Sequence, residues 1–456
     1  MRLSTALSRL TLPPILTIAL TLLGLLMFVW PIPHTISMRY LLVLVVFGLF
    51  LYLIHENRRP SLGLREMTPS LALLLAFIGW MSLVALLNSS RVAASFDEIR
   101  GQWLAALLAG GIGMLAAREL QQQSWRGLAF AGVVLVPLMM HVLVVDLVGV
   151  LSLFDAAKTS HRIAGLTERP DTSNYLTNIV IALMLAELFV RMRNRRNFLP
   201  IGNSVLSLLI VVTLGSLYFE SMRNGAALIA LLLLVWFVIL IIDSRRSGKG
   251  RRFQLGASVV AFVVIAGLVV GAAGFKPGTS WQRFVATVPV ALDTERHREW
   301  LDPFTRVPAL ADGSAVDFSA YVRFAWLKEG AILIAERPLG VGFGRNVFGE
   351  QISAKYNVDF RNHSHSSVVD LAIGTGIPGV LMWYGFLGGL LMIGWRRFWA
   401  AGSGYALALV FVVVDFGARS FIDANVRDHI LQQFMFLAGM LSVLALSDTP
   451  EPKRDG

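Results

Sequence analysis

Two histidines, His363 and His365, close the longest polar segment of an otherwise apolar chain. The sequence then passes through residues 374–379, which include three glycines and a proline, and returns to apolar residues. Imidazole changes its protonation near neutral pH, so a histidine near a lipid–water boundary can accept a proton from a substrate. This pair is therefore the first candidate for general-base chemistry.

The spacing of the two histidines leaves other roles open. Side chains two residues apart share one side of an extended chain, whereas on an ideal helix they point about 200° apart. As metal ligands the pair lacks a credible third ligand nearby, so no metal site is predicted. A structural role, in which a histidine caps a helix or hydrogen-bonds at the interface, is the alternative to catalysis.

Arg223 lies in a very short turn, residues 220–225, between two apolar segments. Placing an arginine at membrane depth costs about 2.5 to 3.5 kcal/mol, so an ionisable residue there indicates a functional site with a partner. The alternative is that the side chain extends to the lipid headgroups or pairs with Glu220.

Four further arginines lie in other polar stretches. Arg162 and Arg169 belong to a connection rich in turn residues, for which the alternative is a solvated loop with local Arg/Glu pairing. Arg323 lies within residues 317–335, where the apolar spacing predicts an amphipathic helix across the outer mouth of the protein. Arg337 follows in a proline- and glycine-containing segment that ends this helix and lacks the strand and helix of a dinucleotide fold.

The composition places these residues in a membrane protein. Of 456 residues, 55% are hydrophobic and 15% are charged, whereas soluble domains carry about 25% charged residues. Because lipid offers no partners for backbone N–H and C=O groups, such a chain crosses the bilayer as helices. The chain has no cysteine, which excludes disulfides and thiolate metal sites. Its net charge of +11 does not indicate nucleic-acid binding, because the basic residues follow the loops between apolar segments.

Twelve apolar segments are predicted to be transmembrane helices. They are centred on residues 12–30, 40–54, 70–87, 103–117, 128–150, 175–190, 204–218, 226–242, 257–273, 377–395, 405–416 and 430–446. We predict nine helices in residues 1–274, a partly helical loop over 275–365, and three helices in residues 366–456. The first segment ends without a small-residue cleavage site, so it is interpreted as a helix rather than a cleaved signal.

The distribution of lysine and arginine orients the predicted helices. If the amino terminus is cytoplasmic, the loops on that side carry more than twice as many basic residues as the short loops opposite. We therefore expect both termini in the cytoplasm and the loop 275–365 outside. The histidines would then share the outer face with six arginines, namely Arg162, Arg169, Arg223, Arg323, Arg337 and Arg419. A substrate used on this face must be activated in the membrane rather than by a nucleotide.

Three motifs in this region resemble those of bacterial O-antigen ligases, within the O-antigen ligase and polymerase superfamily. His365-Ser366, nine residues and then Gly376-Ile377-Pro378-Gly379 are similar to the histidine-to-glycine signature of the ligases. Residues 336–342 resemble the Pro-Leu-Gly-x-Gly segment that precedes this histidine, and residues 221–225 resemble the Ser-Arg-Gly turn. The resemblance covers residues 205–395 most directly.

The resemblance implies a GT-C-like, all-α membrane fold and a metal-independent, inverting glycosyltransferase without a cofactor. The donor would be undecaprenyl-diphosphate-linked O-antigen and the acceptor a sugar hydroxyl of lipid A-core, in lipopolysaccharide biosynthesis at the periplasmic face of the bacterial inner membrane. Besides these substrates and membrane lipids, neither nucleic acid nor a required protein partner is expected. His365 would be the general base, with His363 in support. The arginines expected to bind the diphosphate are Arg223 and Arg323 and, in second rank, Arg162, Arg169 and Arg337.

Three other functions stay open. An O-antigen polymerase would use the same donor with another lipid-linked glycan as acceptor. A polyprenyl-phosphate glycosyltransferase would use an outward carboxylate as base, for which Asp97 and Glu98 are the candidates. A transporter of lipid-linked glycan would use the same arginines, but its polar groups should line a path near the membrane midplane rather than one face.

Overall fold

The structure, a computed structural model, describes residues 13–57, 64–121, 123–154, 162–246 and 281–448. Over these residues it contains fourteen helices and no β-strand, which confirms the predicted all-α fold. In chain order the helices are α1 (Pro14–Val29), α2 (Ile36–Asn57), α3 (Thr68–Asn88), α4 (Val92–Leu120), α5 (Arg126–Leu153), α6 (Pro170–Met192), α7 (Asn203–Glu220), α8 (Arg223–Arg246), α9 (Trp281–Leu292), α10 (Phe318–Glu336), α11 (Val347–Tyr356), α12 (Ser367–Ala401), α13 (Gly404–Arg419) and α14 (Asp428–Ser447).

Among the described residues, nine helices are long and apolar enough to cross a membrane, namely α2 to α8, α12 and α14. Helix α1 is apolar but shorter, and α13, with 16 residues, is buried along almost its whole length. Each predicted segment coincides with one of these helices except residues 257–273, which lie outside the described residues. The chain is a multi-pass membrane protein.

Helices α4 and α14 form the centre of the bundle and pack closely because small residues face each other. A Cβ atom on Gly113 would collide with the carbonyl of Phe436, and one on Gly439 with the carbonyl of Gly110. Small residues of this kind let helix backbones approach each other in a membrane. Helices α6 and α13 pack beside this centre, so the polar side chains near their outer ends lie in the protein interior.

Helices α9, α10 and α11 belong to the long loop and build an aromatic core of their own. Trp300, Trp326 and Phe348 are each at most 1% exposed there. Helix α10 coincides with the predicted amphipathic helix over residues 317–335 and buries one face. It begins after Asp317, whose carboxylate accepts a backbone N–H of the first turn at 3.1 Å and so stabilises the helix start.

A glycine-containing junction joins the end of α10 to the membrane helix α12. The backbone N–H groups of Val341 and Gly342 donate to carbonyls of α12 at 3.0 Å, and the N–H of Ile377 donates back at 2.9 Å. Gly340 (φ 87°) and Gly376 (φ 72°) have left-handed backbone conformations and no room for a Cβ atom. The junction therefore fixes the start of α12, and with it the histidine loop, relative to α10.

Candidate active site

The two predicted histidines contact each other directly. The backbone N–H of His365 donates to Nδ1 of His363 at 3.1 Å, and the ring centroids are 4.4 Å apart with planes at 80°. His365 has a φ of 57°, an uncommon backbone conformation for a residue other than glycine. Because Nδ1 of His363 accepts this hydrogen bond, the neutral ring of His363 carries its proton on Nε2. His363 thus supports the loop conformation that presents His365.

Trp326 of α10 holds the ring of His365. The two rings are stacked, with planes at 3° and centroids 5.4 Å apart. Trp326 is itself fixed, because its indole N–H donates to the carbonyl of Trp300 at 3.2 Å in the buried aromatic core. The orientation of the His365 imidazole is therefore set by the outer helix α10.

The turn between α13 and α14 holds the histidine loop from the other side. Ser366 caps α12 by accepting the N–H of Val369, and the N–H of Ser367 donates to the carbonyl of Asp423 at 3.0 Å. The hydroxyl of Ser367 in turn accepts the N–H of Val426 at 2.9 Å. These bonds join the beginning of α12 and the turn into one unit.

Burial keeps both imidazoles neutral at physiological pH. It lowers the pKa of His365 to about 4, with a further contribution from the positive charge of Arg323. Burial likewise lowers the pKa of His363 to about 3, with contributions from His365 and Arg427. A neutral imidazole can accept a proton, which is the state that a general base requires.

Arg323 and Arg223 approach this region from α10 and α8. Arg323 is partly buried and donates through Nη1 to the carbonyl of Ile422 at 3.2 Å. Arg223 is 44% exposed and pairs through Nη1 with Oδ2 of Asp317 at 2.8 Å. Each guanidinium carries five N–H donors, so most of them are left for an anionic ligand.

The turn before Arg223 is anchored by a buried carboxylate. Glu220 accepts hydrogen bonds from Ser173 at 3.0 Å, Asn174 at 2.9 Å and Thr177 at 2.6 Å, all in the first turns of α6. The pairing of Arg223 with Glu220, considered above as an alternative, is therefore replaced by two separate contacts. Glu220 fixes the turn and leaves the guanidinium of Arg223 directed toward α10.

Arg162 and Arg169 reach the same region from the loop before α6. Arg169 forms a two-point ion pair with Asp171, at 3.2 Å from Nε and 2.6 Å from Nη2, and its side chain is 68% exposed. This is local pairing of the kind considered as the alternative, although the partner is Asp171 rather than Glu168. Arg162 lies within electrostatic range of Arg323, and Arg169 lies within that of both histidines.

Arg337 lies apart from this cluster. It follows α10 eleven residues after Trp326, which corresponds to about 16 Å along the helix at the usual rise per residue. With Lys355 it lines a separate cavity of about 260 Å³. The structure brings together His363, His365, Arg162, Arg169, Arg223 and Arg323.

Asp423 and Arg419 also belong to the site, although the sequence analysis assigns no role to Arg419 and does not name Asp423. Arg419 is 1% exposed, lies 3.6 Å from the carboxylate of Asp423, and donates to Oδ1 of Asn174 at 3.2 Å. Burial raises the pKa of Asp423, while the charge of Arg419 opposes this shift. Asp415, Arg419 and Asp423 follow one another at intervals of four residues. Three charges at helical spacing at the end of an apolar segment are the signal that points to them.

The geometry also bears on two other mechanisms, one with a carboxylate base and one with a bound metal ion. Asp97, the rival carboxylate, is 71% exposed and pairs with Arg100 at 3.0 Å near the beginning of α4. Within the part of the chain that the structure describes, no group of three His, Asp or Glu residues could hold a metal ion. Metal-independent chemistry stays a prediction that chelation can test.

Residues 208–384 match the family model described as O-antigen ligase. This interval contains α8, α9, α10 and α11 and the first half of α12. No curated protein matches the chain. The match thus covers the segment that supplies both histidines and the two leading arginines of the cluster.

Proposed function

We propose that the chain transfers undecaprenyl-diphosphate-linked O-antigen to lipid A-core, because residues 208–384 match the family model described as O-antigen ligase. The acceptor group is a sugar hydroxyl, and the reaction is an inverting glycosyl transfer of lipopolysaccharide biosynthesis. The site faces the periplasm from the bacterial inner membrane, and both termini lie in the cytoplasm.

One observation carries the proposal. The imidazole of His365 lies within electrostatic range of Arg323, and Arg323 in turn lies within that of Arg223, which pairs with Asp317 at the start of α10. Glycosyl transfer from a lipid diphosphate requires a base for the acceptor hydroxyl and positive charge for the departing diphosphate. Both requirements are met by residues of this cluster.

In the proposed reaction the acceptor oxygen attacks the anomeric carbon of the glycan from the side opposite the diphosphate. The new glycosidic bond forms as the bond between the anomeric carbon and the phosphate oxygen breaks, and the electron pair leaves with undecaprenyl diphosphate. The hydroxyl proton passes to a ring nitrogen of His365 and then to solvent. Arg323 and Arg223 bind the diphosphate through charge-assisted hydrogen bonds that strengthen as its negative charge develops.

Donor binding also makes His365 a stronger base. In the free protein, burial and Arg323 hold the pKa of His365 at about 4. The negative charges of a bound diphosphate offset those of the arginines, and a nearby anion favours the protonated imidazole. The pKa of His365 therefore rises when the donor is in place, which couples proton transfer to the presence of the donor.

The test is transfer by the purified protein in lipid nanodiscs, with labelled lipid-linked glycan as donor and either lipid A-core or a second lipid-linked glycan as acceptor. We expect a labelled lipid A-core product, formed at the same rate with and without a chelator. Chain growth in the absence of lipid A-core would instead identify a polymerase. Movement of the labelled donor across proteoliposomes without a covalent product would identify a transporter.

A further inference from the structure

A second basic cavity lies between the end of α10, α11 and the kinked part of α12. Its volume is about 260 Å³. Leu333, Val341, Ala354 and Ile373 form its apolar wall, and the polar groups that line it are Glu336, Arg337, Gln351 and Lys355. None of these residues contributes to the histidine–arginine cluster described above.

The cavity carries a net positive charge. Nζ of Lys355 lies 2.9 Å from the carboxylate of Glu336, so this pair is neutral overall. The side chain of Arg337 is exposed and makes no hydrogen bond or ion pair within the residues that the structure describes. A guanidinium with its planar set of donors unused, beside an ammonium group, is suited to binding a phosphate.

The surface next to the cavity is apolar. Leu339 is 55% exposed, Ile377 47% and Leu381 67%. The N–H of Ile377 donates to the carbonyl of Pro338 at 2.9 Å, so this surface begins directly beside Arg337. Ile377 and Leu381 lie one turn apart on the membrane helix α12, where exposed apolar side chains face lipid. The cavity therefore opens at the boundary between lipid and water.

We propose that this cavity binds the phosphate group of a membrane lipid, whose hydrocarbon chains lie along Leu339, Ile377 and Leu381. Arg337 supplies the positive charge and the two-point contact to the phosphate, and the ammonium group of Lys355, which also pairs with Glu336, donates a further hydrogen bond. The exposed apolar side chains distinguish a lipid from a soluble phosphate, because only the lipid covers them.

The position of the cavity separates this lipid from the donor. Arg337 lies about 16 Å along α10 from Trp326, on which His365 is stacked, whereas the donor diphosphate must lie beside His365. The phosphate in the cavity therefore belongs to a second molecule. If the proposed function holds, on which this assignment rests, that molecule is the acceptor, and its reacting hydroxyl is carried on an oligosaccharide at a distance from its lipid phosphate.

The experiment measures the affinity of the purified full-length protein in detergent for dihexanoyl phosphatidic acid, dihexanoyl phosphatidylcholine and inorganic phosphate. We expect phosphatidic acid to bind at least tenfold more tightly than the other two probes. Arg337→Gln and Lys355→Gln should each weaken its binding about tenfold, the loss expected when one hydrogen-bonded charge is removed. Arg337→Lys, which keeps the charge but not the planar fork, should lose less than Arg337→Gln.

Two control variants locate the binding. Arg361→Gln removes a cation of the same outer region whose side chain is 84% exposed and pairs with Asp359, so it should bind the lipid as the wild type does. Arg223→Gln removes a cation of the donor site, so it should weaken the binding of phosphatidic acid less than Arg337→Gln does, and an equal or larger loss in this variant would place the probe in the donor site and overturn the proposal. Wild-type affinity in Arg337→Gln, or equal binding of inorganic phosphate, would overturn it too. Because no transfer is measured, intact lipid binding in a protein that makes no product would count against the proposed function alone.

Discussion

His365 combines two requirements that oppose each other. Positive charge is needed beside it for the diphosphate, and the same charge, together with burial, lowers its pKa to about 4 and makes it a weak base. The backbone bond to His363 and the stack on Trp326 keep the ring oriented while it is neutral. In the proposed reaction, the negative charge of the bound donor raises the pKa of His365 again and so makes it a stronger base.

This proposal predicts a difference between two pH profiles of the transfer reaction. The base must be neutral, so activity is lost as the pH falls through the pKa of His365. For kcat/KM of the donor, which reports the free protein, the acid limb should lie near pH 4, whereas for kcat, which reports the donor complex, it should lie higher. Steady-state kinetics from below pH 4 to pH 9 checks this, and coincident acid limbs would argue against coupling through the diphosphate.

The types and order of the site residues could be predicted from the sequence, but their contacts could not. His365, Arg223 and Arg323 could be identified from the sequence because each lies in a polar stretch that interrupts apolar sequence. The left-handed backbone of His365 and its stacking on Trp326 depend on contacts between segments distant along the chain, which a local pattern does not encode.

The junction between α10 and α12 positions the site because it restricts the movement of α10, a helix of the long loop, relative to the membrane helix α12. Gly340 and Gly376 approach each other so closely that a Cβ atom on Gly340 would lie 2.5 Å from the backbone nitrogen of Gly376. The sequence predicts that Gly340 lies in the segment that ends a helix and that Gly376 lies where the chain returns to the membrane, and in the structure the two glycines form a contact between helices. The proline and glycines of the sequence predict that α10 ends before Gly340, but they do not predict that the backbone of α12 contacts this segment.

Gly340→Ala should therefore lower stability by about 1 to 3 kcal/mol, through backbone strain and steric overlap. Gly313→Ala is the control for strain alone, because Gly313 has φ 80° and nothing within 4 Å of an added Cβ. Gly388→Ala is the control without either effect, because Gly388 has no left-handed backbone conformation and nothing lies within 4 Å of an added Cβ. Thermal unfolding in detergent should give the highest apparent Tm for Gly388→Ala, an intermediate value for Gly313→Ala and the lowest for Gly340→Ala. Equal Tm values for Gly388→Ala and Gly340→Ala would contradict the proposed role of the junction.

Helix ends were less predictable than helix existence. The segment predicted at residues 103–117 is part of a longer helix, Val92–Leu120. The first turns of this helix contain Asp97 and Arg100, which are exposed and pair with each other. Their charge hides the start of the helix from a hydropathy pattern. By contrast, α10 begins and ends within a residue of its prediction, since Asp317 caps one end and Pro338 follows the other.

The whole molecule is a membrane bundle with a helical layer attached to it by the α10–α12 junction and by ion pairs. Arg223 with Asp317 and Arg345 with Asp428 each join the long loop to the end of a membrane helix, at 2.8 Å and 2.7 Å. The amino-acid composition was sufficient to predict the membrane class. The side of the membrane on which this layer lies rests on the distribution of basic residues and stays a prediction.

Single cysteines can test this orientation cleanly, because the chain has none. Arg361→Cys in the long loop should react with a membrane-impermeant maleimide in intact spheroplasts, since the side chain at this position is 84% exposed. Asn197→Cys, at an exposed position between α6 and α7, should react only after permeabilisation. The opposite labelling pattern would place the histidine–arginine cluster in the cytoplasm and contradict the proposed reaction.

The most direct test of the central claim is the single-turnover rate of glycan transfer to lipid A-core in nanodiscs, measured for wild type, His365→Gln, Arg323→Gln and the control Arg361→Gln. Loss of the base should slow transfer by about 10² to 10⁴-fold, and loss of one diphosphate contact by about 10² to 10³-fold. Arg361→Gln should transfer at the wild-type rate, because this exposed side chain pairs with Asp359 and lies outside the histidine–arginine cluster. A folded His365→Gln protein that transfers the glycan as fast as the wild type would show that the reaction does not depend on this imidazole.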